Sequence, residues 1–168
     1  MRLLRVHITR RSDGGGTLVL ERADGSRTWQ RQTDRHAAFF AAHDLTHLAV
    51  ESVLRLRGAF YGLVASGWEF DDFLPPYPRG ALPTEALWVE LLVGLLDAER
   101  ASEAAGAARS SAQDMAEMLA TAWPSSAGPQ PHALDEATLV AVRDARDSHL
   151  QRWAAVGVGD MLELEFAP

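Results

Sequence analysis

Between His36 and Leu56 the chain runs without a glycine or proline, and its apolar residues fall on every side of a helix. Phe39, Phe40, Leu45, Leu48, Val50, Val53 and Leu54 leave no broad face for water. A helix that is apolar all round is normally buried, so other elements must pack around this one. Gly58 supplies the stop signal.

One narrow arc of that helix breaks the rule. With about 100° per residue and His43 at zero, His47 falls near about 40°, Glu51 near about 80° and Asp44 near about 100°. Phe40 and Leu54 bracket the arc from above and below. Isolated ionisable groups inside a protein cost several kcal/mol, so this island must be paired, hydrogen-bonded or bound to metal. His43 and His47 stand at i and i+4, roughly 5–6 Å apart at Cβ. That is the spacing at which HExxH helices hold zinc. A divalent cation would satisfy the arc.

Distance limits how much of the arc one ion can use. His43 and Glu51 are separated by about 12 Å along the axis. Side chains lean toward the helix N-terminus, which brings Glu51 back toward His47 and carries His43 away from both. His43 and His47 are therefore the expected ligands, with Glu51 a supporting group or general base and Asp44 beside it. A third ligand must come from elsewhere. Glu90 is the candidate, as the lone charge in the apolar run Ala86–Leu96. Glu69, Asp71 and Asp72 in a proline-rich loop are alternatives, and His149 beside Asp147 is a weaker one. Zinc is the first expectation for the cofactor, with iron, nickel or manganese also compatible.

The flanks read differently. Leu4, Val6 and Ile8 alternate with Arg5, His7 and Thr9, the period of a half-buried strand. Thr17–Arg22 and Arg27–Gln32 follow after glycine-containing turns, giving an antiparallel β-meander over 1–32. Helices are expected at 59–65, from 83 to about 105, from Ser110 or Ser111 through Trp123, and for about twenty residues after Asp135. Pro124–His132 has little to bury and reads as a mobile linker. Met161, Leu164 and Phe166 among Glu163 and Glu165 predict a closing strand over 160–167. The expectation is one α+β domain spanning 1–168, mostly helical over 36–156, with the last strand joining the meander.

Composition excludes much chemistry. All 16 basic residues are Arg, and Lys, Asn and Cys are absent. Schiff-base, P-loop, thiol and thiolate-metal chemistry are therefore ruled out. A net charge of −7 argues against nucleic acid. Ala86–Leu96 is too short to span a membrane, and Met1–Arg11 lacks the long apolar core of a signal peptide. A cytoplasmic protein is the expectation. Gly157-Val158-Gly159 has no third glycine and no following helix, and Ser66 lacks the glycine of a nucleophile elbow.

The segment His43–Trp68, HDLTHLAVESVLRLRGAFYGLVASGW, resembles a group of small uncharacterised bacterial proteins with an HDxxHxxxE helix. The HDxxH element is also similar to the zinc motif of a ubiquinone-biosynthesis protein family. That family has a Glu twelve residues after the second His, where this chain has Ala59. The resemblance implies metal binding at His43 and His47 and nothing further. HExxH zincins are a second analogy, in which Asp44 stands where they carry their catalytic Glu.

Two functions follow as expectations. The first is a metal-binding protein acting on a small molecule, with His43, His47 and Glu90 as ligands and Asp44 or Glu51 as the proton acceptor. The second is a non-enzymatic interaction or homodimerisation module. It is motivated by the apolar excess of Leu87, Trp88, Leu91, Leu92, Leu95 and Leu96, with the polar arc serving as a structural network.

Overall fold

A computed structural model describes residues 3–31 and 36–168. Four strands form one antiparallel sheet in the order β3-β2-β1-β4. They are β1 (Leu4–Arg10), β2 (Gly16–Arg22), β3 (Arg27–Arg31) and β4 (Met161–Phe166). The closing strand lies beside β1, pairing Val6 with Leu164 and Leu4 with Phe166. Gln32, expected at the end of the third strand, lies outside the described residues.

Alternation decides which face is covered. Leu4, Val6, Ile8, Leu18, Leu20, Leu162, Leu164 and Phe166 are buried on one side. The other side carries Arg5, Glu21, Glu163 and Glu165. One detail of the expected β4 pattern changes: Met161 points outward and Leu162 takes the inward position. Side chains two apart share a face, so Leu162 belongs with Leu164 and Phe166 and Met161 does not.

Five helices complete the domain: α1 (Ala37–Leu54), α2 (Phe60–Ala65), α3 (Thr84–Ala104), α4 (Ala112–Ala122) and α5 (Glu136–Ala154). α1 divides its apolar residues between two cores. Ala41, Leu45 and Leu48 pack on the sheet with Tyr61, Val64 and Trp153. Val50, Val53 and Leu54 turn to the second cluster, built from Trp88, Leu92 and Leu96 of α3, Met115 and Leu119 of α4, and Leu139 and Val142 of α5. A helix wedged between two cores must be apolar on both sides. That is why its sequence shows no single stripe.

Local signals set two of the five helix starts. Ser111 Oγ accepts the Asp114 amide at 3.1 Å, and Asp135 Oδ1 accepts the Thr138 amide at 2.7 Å. α1 stops earlier than expected, in a left-handed residue at Arg55 with φ 53°. The Leu56 amide then bonds back to the Glu51 carbonyl at 3.0 Å, and Leu56 drops into the second core. Burying Leu56 thus ends the helix before Gly58 is reached. A residue with a Cβ in this conformation costs about 1–2 kcal/mol. Arg55→Gly should therefore raise stability by about 0.5–1 kcal/mol after glycine's own unfolded-state entropy is counted, as read by urea denaturation.

Pro124–His132 contains a 3-10 turn over Ser125–Ala127. Trp123 Nε1 donates to the Gly128 carbonyl at 2.7 Å, Trp88 Nε1 donates to Gln130 Oε1 at 3.2 Å, and His132 Nε2 lies 2.8 Å from Glu85 Oε1. No helix among the described residues is long and apolar enough to cross a membrane.

Candidate metal centre

α1 and α3 run side by side and place acids of α3 opposite the histidines of α1. His43, His47 and Glu90 each offer one ligand atom, all within 4.8 Å of one another, and the group could hold a metal ion. His47 Nε2 stands 3.5 Å from Glu90 Oε1. Two ligand atoms at about 2.0–2.1 Å from one tetrahedral ion lie about 3.4 Å apart. That edge is already formed. Glu90 is 55% exposed at its side chain, so it is free to swing toward an ion.

Each imidazole meets a second carboxylate on its other nitrogen. His43 Nδ1 lies 2.8 Å from Asp97 Oδ2. His47 Nδ1 faces Glu51 Oε1 at 3.5 Å, and neither of those two buried atoms has a hydrogen-bond partner among the described residues. The Nε2 atoms are therefore the nitrogens left for an ion. Carboxylates that hold the remote nitrogen of a metal-binding histidine fix its ring and its tautomer.

Glu51 is fully buried, and its position follows from the turn after α1. Its Oε2 accepts the Tyr61 amide at 2.8 Å and the Gly62 amide at 3.2 Å, the first free amides of α2. Gly62 is required there: a Cβ would sit 2.6 Å from Arg57 Cα. Tyr61 returns from α2 to donate its hydroxyl to the Asp44 carbonyl at 3.0 Å.

The electrostatics follow from burial opposed by pairing. Burial by itself would depress the His47 imidazolium, but Glu51 and Glu90 outweigh it and push its pKa up to about 10. Burial pushes the Asp44 carboxyl up to about 6 against the pull of His47 and His43. Burial raises Glu51 as well, opposed by His47 and the two amides. For Glu90, burial is outweighed by His47, and the carboxyl titrates below its ordinary range.

Aromatic rings wall the group. Phe39 stacks on His43 at 5.5 Å between centroids, and Phe60 meets His47 edge-on at 6.4 Å. Phe60 continues into Phe70 and Phe73.

The structure thus brings His43, His47 and Glu90 together, with Glu51 behind His47. Asp44 interacts electrostatically with His43, His47, Glu90 and Asp97. The alternatives go elsewhere: Glu69 and Asp72 cap a 3-10 turn and bind Arg22 and Arg79 respectively. Asp147, beside His149, binds Arg109 and Arg146. Asp97 is the residue that sequence reasoning missed. Its signal was its position two helical turns after Glu90, which puts both acids on one side of α3. No protein-family model, curated protein or solved structure matches this chain, so its geometry speaks for its function.

Proposed function

We propose that this protein binds a divalent metal ion through His43, His47 and Glu90 and uses it in hydrolytic or other Lewis-acid chemistry on a small molecule. The observation that carries the reading is the pair of carboxylates on the Nδ1 atoms. Asp97 and Glu51 come from different helices, yet each faces an Nδ1, and His47 Nε2 stands 3.5 Å from Glu90. Two nitrogens and one oxygen suit zinc, and they also suit iron(II), nickel or manganese. Such an ion lowers the pKa of a bound water toward 7.

The chain's own groups divide the remaining work. Asp44, with its pKa near about 6, is matched to accepting a proton close to neutral pH. Glu51 has one oxygen committed to two amides and the other facing His47 Nδ1 at 3.5 Å, so it backs the imidazole as a counter-charge. Phe39 and Phe60 restrict water around the ring nitrogens.

Zinc added at pH 7.5 to chelator-treated protein should release close to one proton per ion bound, because metal must displace the proton held by His47. Calorimetry in buffers of different protonation enthalpy reads that number directly. Affinity should climb with pH up to about 10, where His47 becomes neutral by itself. A protein that stays folded and takes up no zinc, iron, nickel or manganese would defeat the proposal.

That outcome would favour a second reading, in which protonated His47 between Glu51 and Glu90 is a structural ion triad. The dimerisation motive is weaker in the folded chain. Trp88, Leu92 and Leu96 are fully buried, Leu91 and Leu95 pack on the same cluster, and Leu87 is half-buried.

A further inference from the structure

Strand register lays out the outer face of the sheet in rows. Arg27, Glu21, Arg5 and Glu165 stand abreast across β3, β2, β1 and β4. Their charges alternate, positive, negative, positive, negative. The next row runs from Trp29 on β3 to Glu163 on β4, and the one after it from Arg31 to Met161. Trp29 is 63% exposed and Met161 46%. The β3 edge thus carries two arginines around an exposed indole, and the β4 edge two glutamates beside an exposed thioether.

An alternating row of four becomes its own complement when it is reversed. A two-fold axis parallel to the strands, placed over the boundary between β2 and β1, performs that reversal. It sets β3 of one molecule on β4 of the other, and β2 on β1. Arg27 then faces Glu165 of the second copy and Glu21 faces its Arg5, each pair occurring twice by symmetry. Trp29 lies across from Glu163, whose carboxylate can accept the indole N–H. Stacked sheets lie about 10 Å apart, a gap that arginine and glutamate side chains bridge from opposite sides. A two-fold perpendicular to the strands does the reverse. It sets β3 on β3, so that Arg27 meets Arg31 and like charges repel. Nucleic acid fits only half of the face, because its phosphates would meet the glutamates as well as the arginines.

We propose that this face is a self-association surface whose occupant is a second copy of this chain, joined through the two-fold parallel to the strands. The proposal does not depend on the metal centre, which lies between α1 and α3. Strength follows from area. Four strands about 4.8 Å apart and six residues long cover about 400 Å² per molecule, against roughly 800 Å² per partner in a standard interface. Glu21 already accepts from Arg5 at 3.2 Å and from Arg27 at 2.6 Å within one chain, so the pairs across the interface are shared, not newly made. The dimer is therefore a weak one, held largely by charge, and screened by salt.

Sedimentation velocity of the full-length protein, from about 5 to about 500 µM, reads the association. Dimer should form at about 25 mM salt and weaken about fivefold or more at about 500 mM. Arg27→Glu and Glu165→Arg should each weaken it roughly tenfold or more, since each sets like charges face to face twice. Mixed in equal amounts, the two variants should recover association to within about threefold of wild type, because every crossed pair is again a glutamate on an arginine. Both positions are exposed, and far-ultraviolet circular dichroism checks that the variants stay folded. A wild type that remains monomeric at low salt overturns the proposal, whether or not a labelled single-stranded oligonucleotide binds in its place. Dimers that survive both substitutions put the interface elsewhere. A tighter dimer from Arg27→Glu overturns the arrangement in favour of the perpendicular two-fold, and a mixture that stays monomeric overturns the pairing of Arg27 with Glu165.

Discussion

Replacing His47 by Ala should abolish metal binding and destabilise the metal-free protein by about 3 kcal/mol, whereas His43→Ala should abolish metal binding with a much smaller stability change. Both variants lose one of three ligands, which exceeds the roughly 10–100-fold cost of losing a supporting partner. The stability difference arises behind the rings. His47 is the cation facing Glu51, which is fully buried. Removing one partner of a buried pair leaves the other charge uncompensated. The two amides on Glu51 and its readiness to take a proton hold the cost at the low end of the usual range. Asp97, behind His43, keeps Thr46 Oγ1 at 3.4 Å and Arg100 at 3.9 Å as partners.

The pH dependence follows from the direction of the His47 shift. Its folded pKa, about 10, lies above its ordinary value of 6.5. Protonated His47 therefore stabilises the folded state fully below about pH 6.5, and that contribution is lost progressively as pH rises toward about 10. The gap in melting temperature between chelator-treated wild type and His47→Ala should be widest near pH 6.5 and close by about pH 10. Full metal occupancy in both single variants would show that the ion sits elsewhere. A gap that does not change with pH would show that His47 packs as a neutral ring.

Glu99→Ala should be the more damaging change to the fold, costing about 3–5 kcal/mol and lowering the melting temperature by about 6–20 °C. Glu99 is buried and lies between two buried guanidinium groups of α5. Arg143 Nε donates to Glu99 Oε2 at 3.0 Å, and Arg146 Nη1 stands 3.7 Å from the same oxygen. Glu99 Oε1 also accepts the Ser110 amide at 3.1 Å, while Arg143 Nη2 donates to the Ser110 carbonyl at 2.7 Å. One carboxylate thus ties α3, α5 and the start of α4. Without it, Arg143 has no carboxylate partner among the described residues and the loop loses an acceptor. Arg146 retains Glu103 at 3.4 Å and Asp147 at 2.8 Å. Glu99→Leu with Arg143→Met should accordingly recover part of the loss, because no unpaired charge remains at that end of the network. By comparison, Arg5→Ala on the open sheet face removes an exposed pair with Glu21 and should cost less than about 1 kcal/mol. Guanidinium denaturation of the four proteins decides the matter. A Glu99→Ala loss no larger than that of Arg5→Ala would overturn the assignment of this network.

Much of the architecture was legible because it is periodic. Alternation along β1 and β4, capping at Ser111 and Asp135, and the all-round apolar character of α1 each depend on neighbours within a few residues. The errors came where burial overrode a local signal. Arg55 took a left-handed backbone so that Leu56 could enter the second core, and the glycine at 58 was not needed as the stop. Within Pro124–His132, whose composition is polar, Gln130, Gly128 and His132 meet Trp88, Trp123 and Glu85 respectively.

The site divides along the same line. That His43 and His47 share a face, and that Glu51 leans back on His47, is helix geometry, and the amino-acid sequence determined it alone. That the lone acid of the Ala86–Leu96 run stands at His47 was anticipated from its being the one charge in an apolar stretch, although the fold leaves that side chain half-exposed. Asp97 on His43, across 54 positions of chain, was not anticipated. Nor were the amides of Tyr61 and Gly62 on Glu51, or Glu99 between two arginines. Those contacts exist because α3, α2 and α5 pack on α1 at particular angles and heights. No short-range repeat encodes those angles and heights; the closing of two apolar cores around one helix decides them.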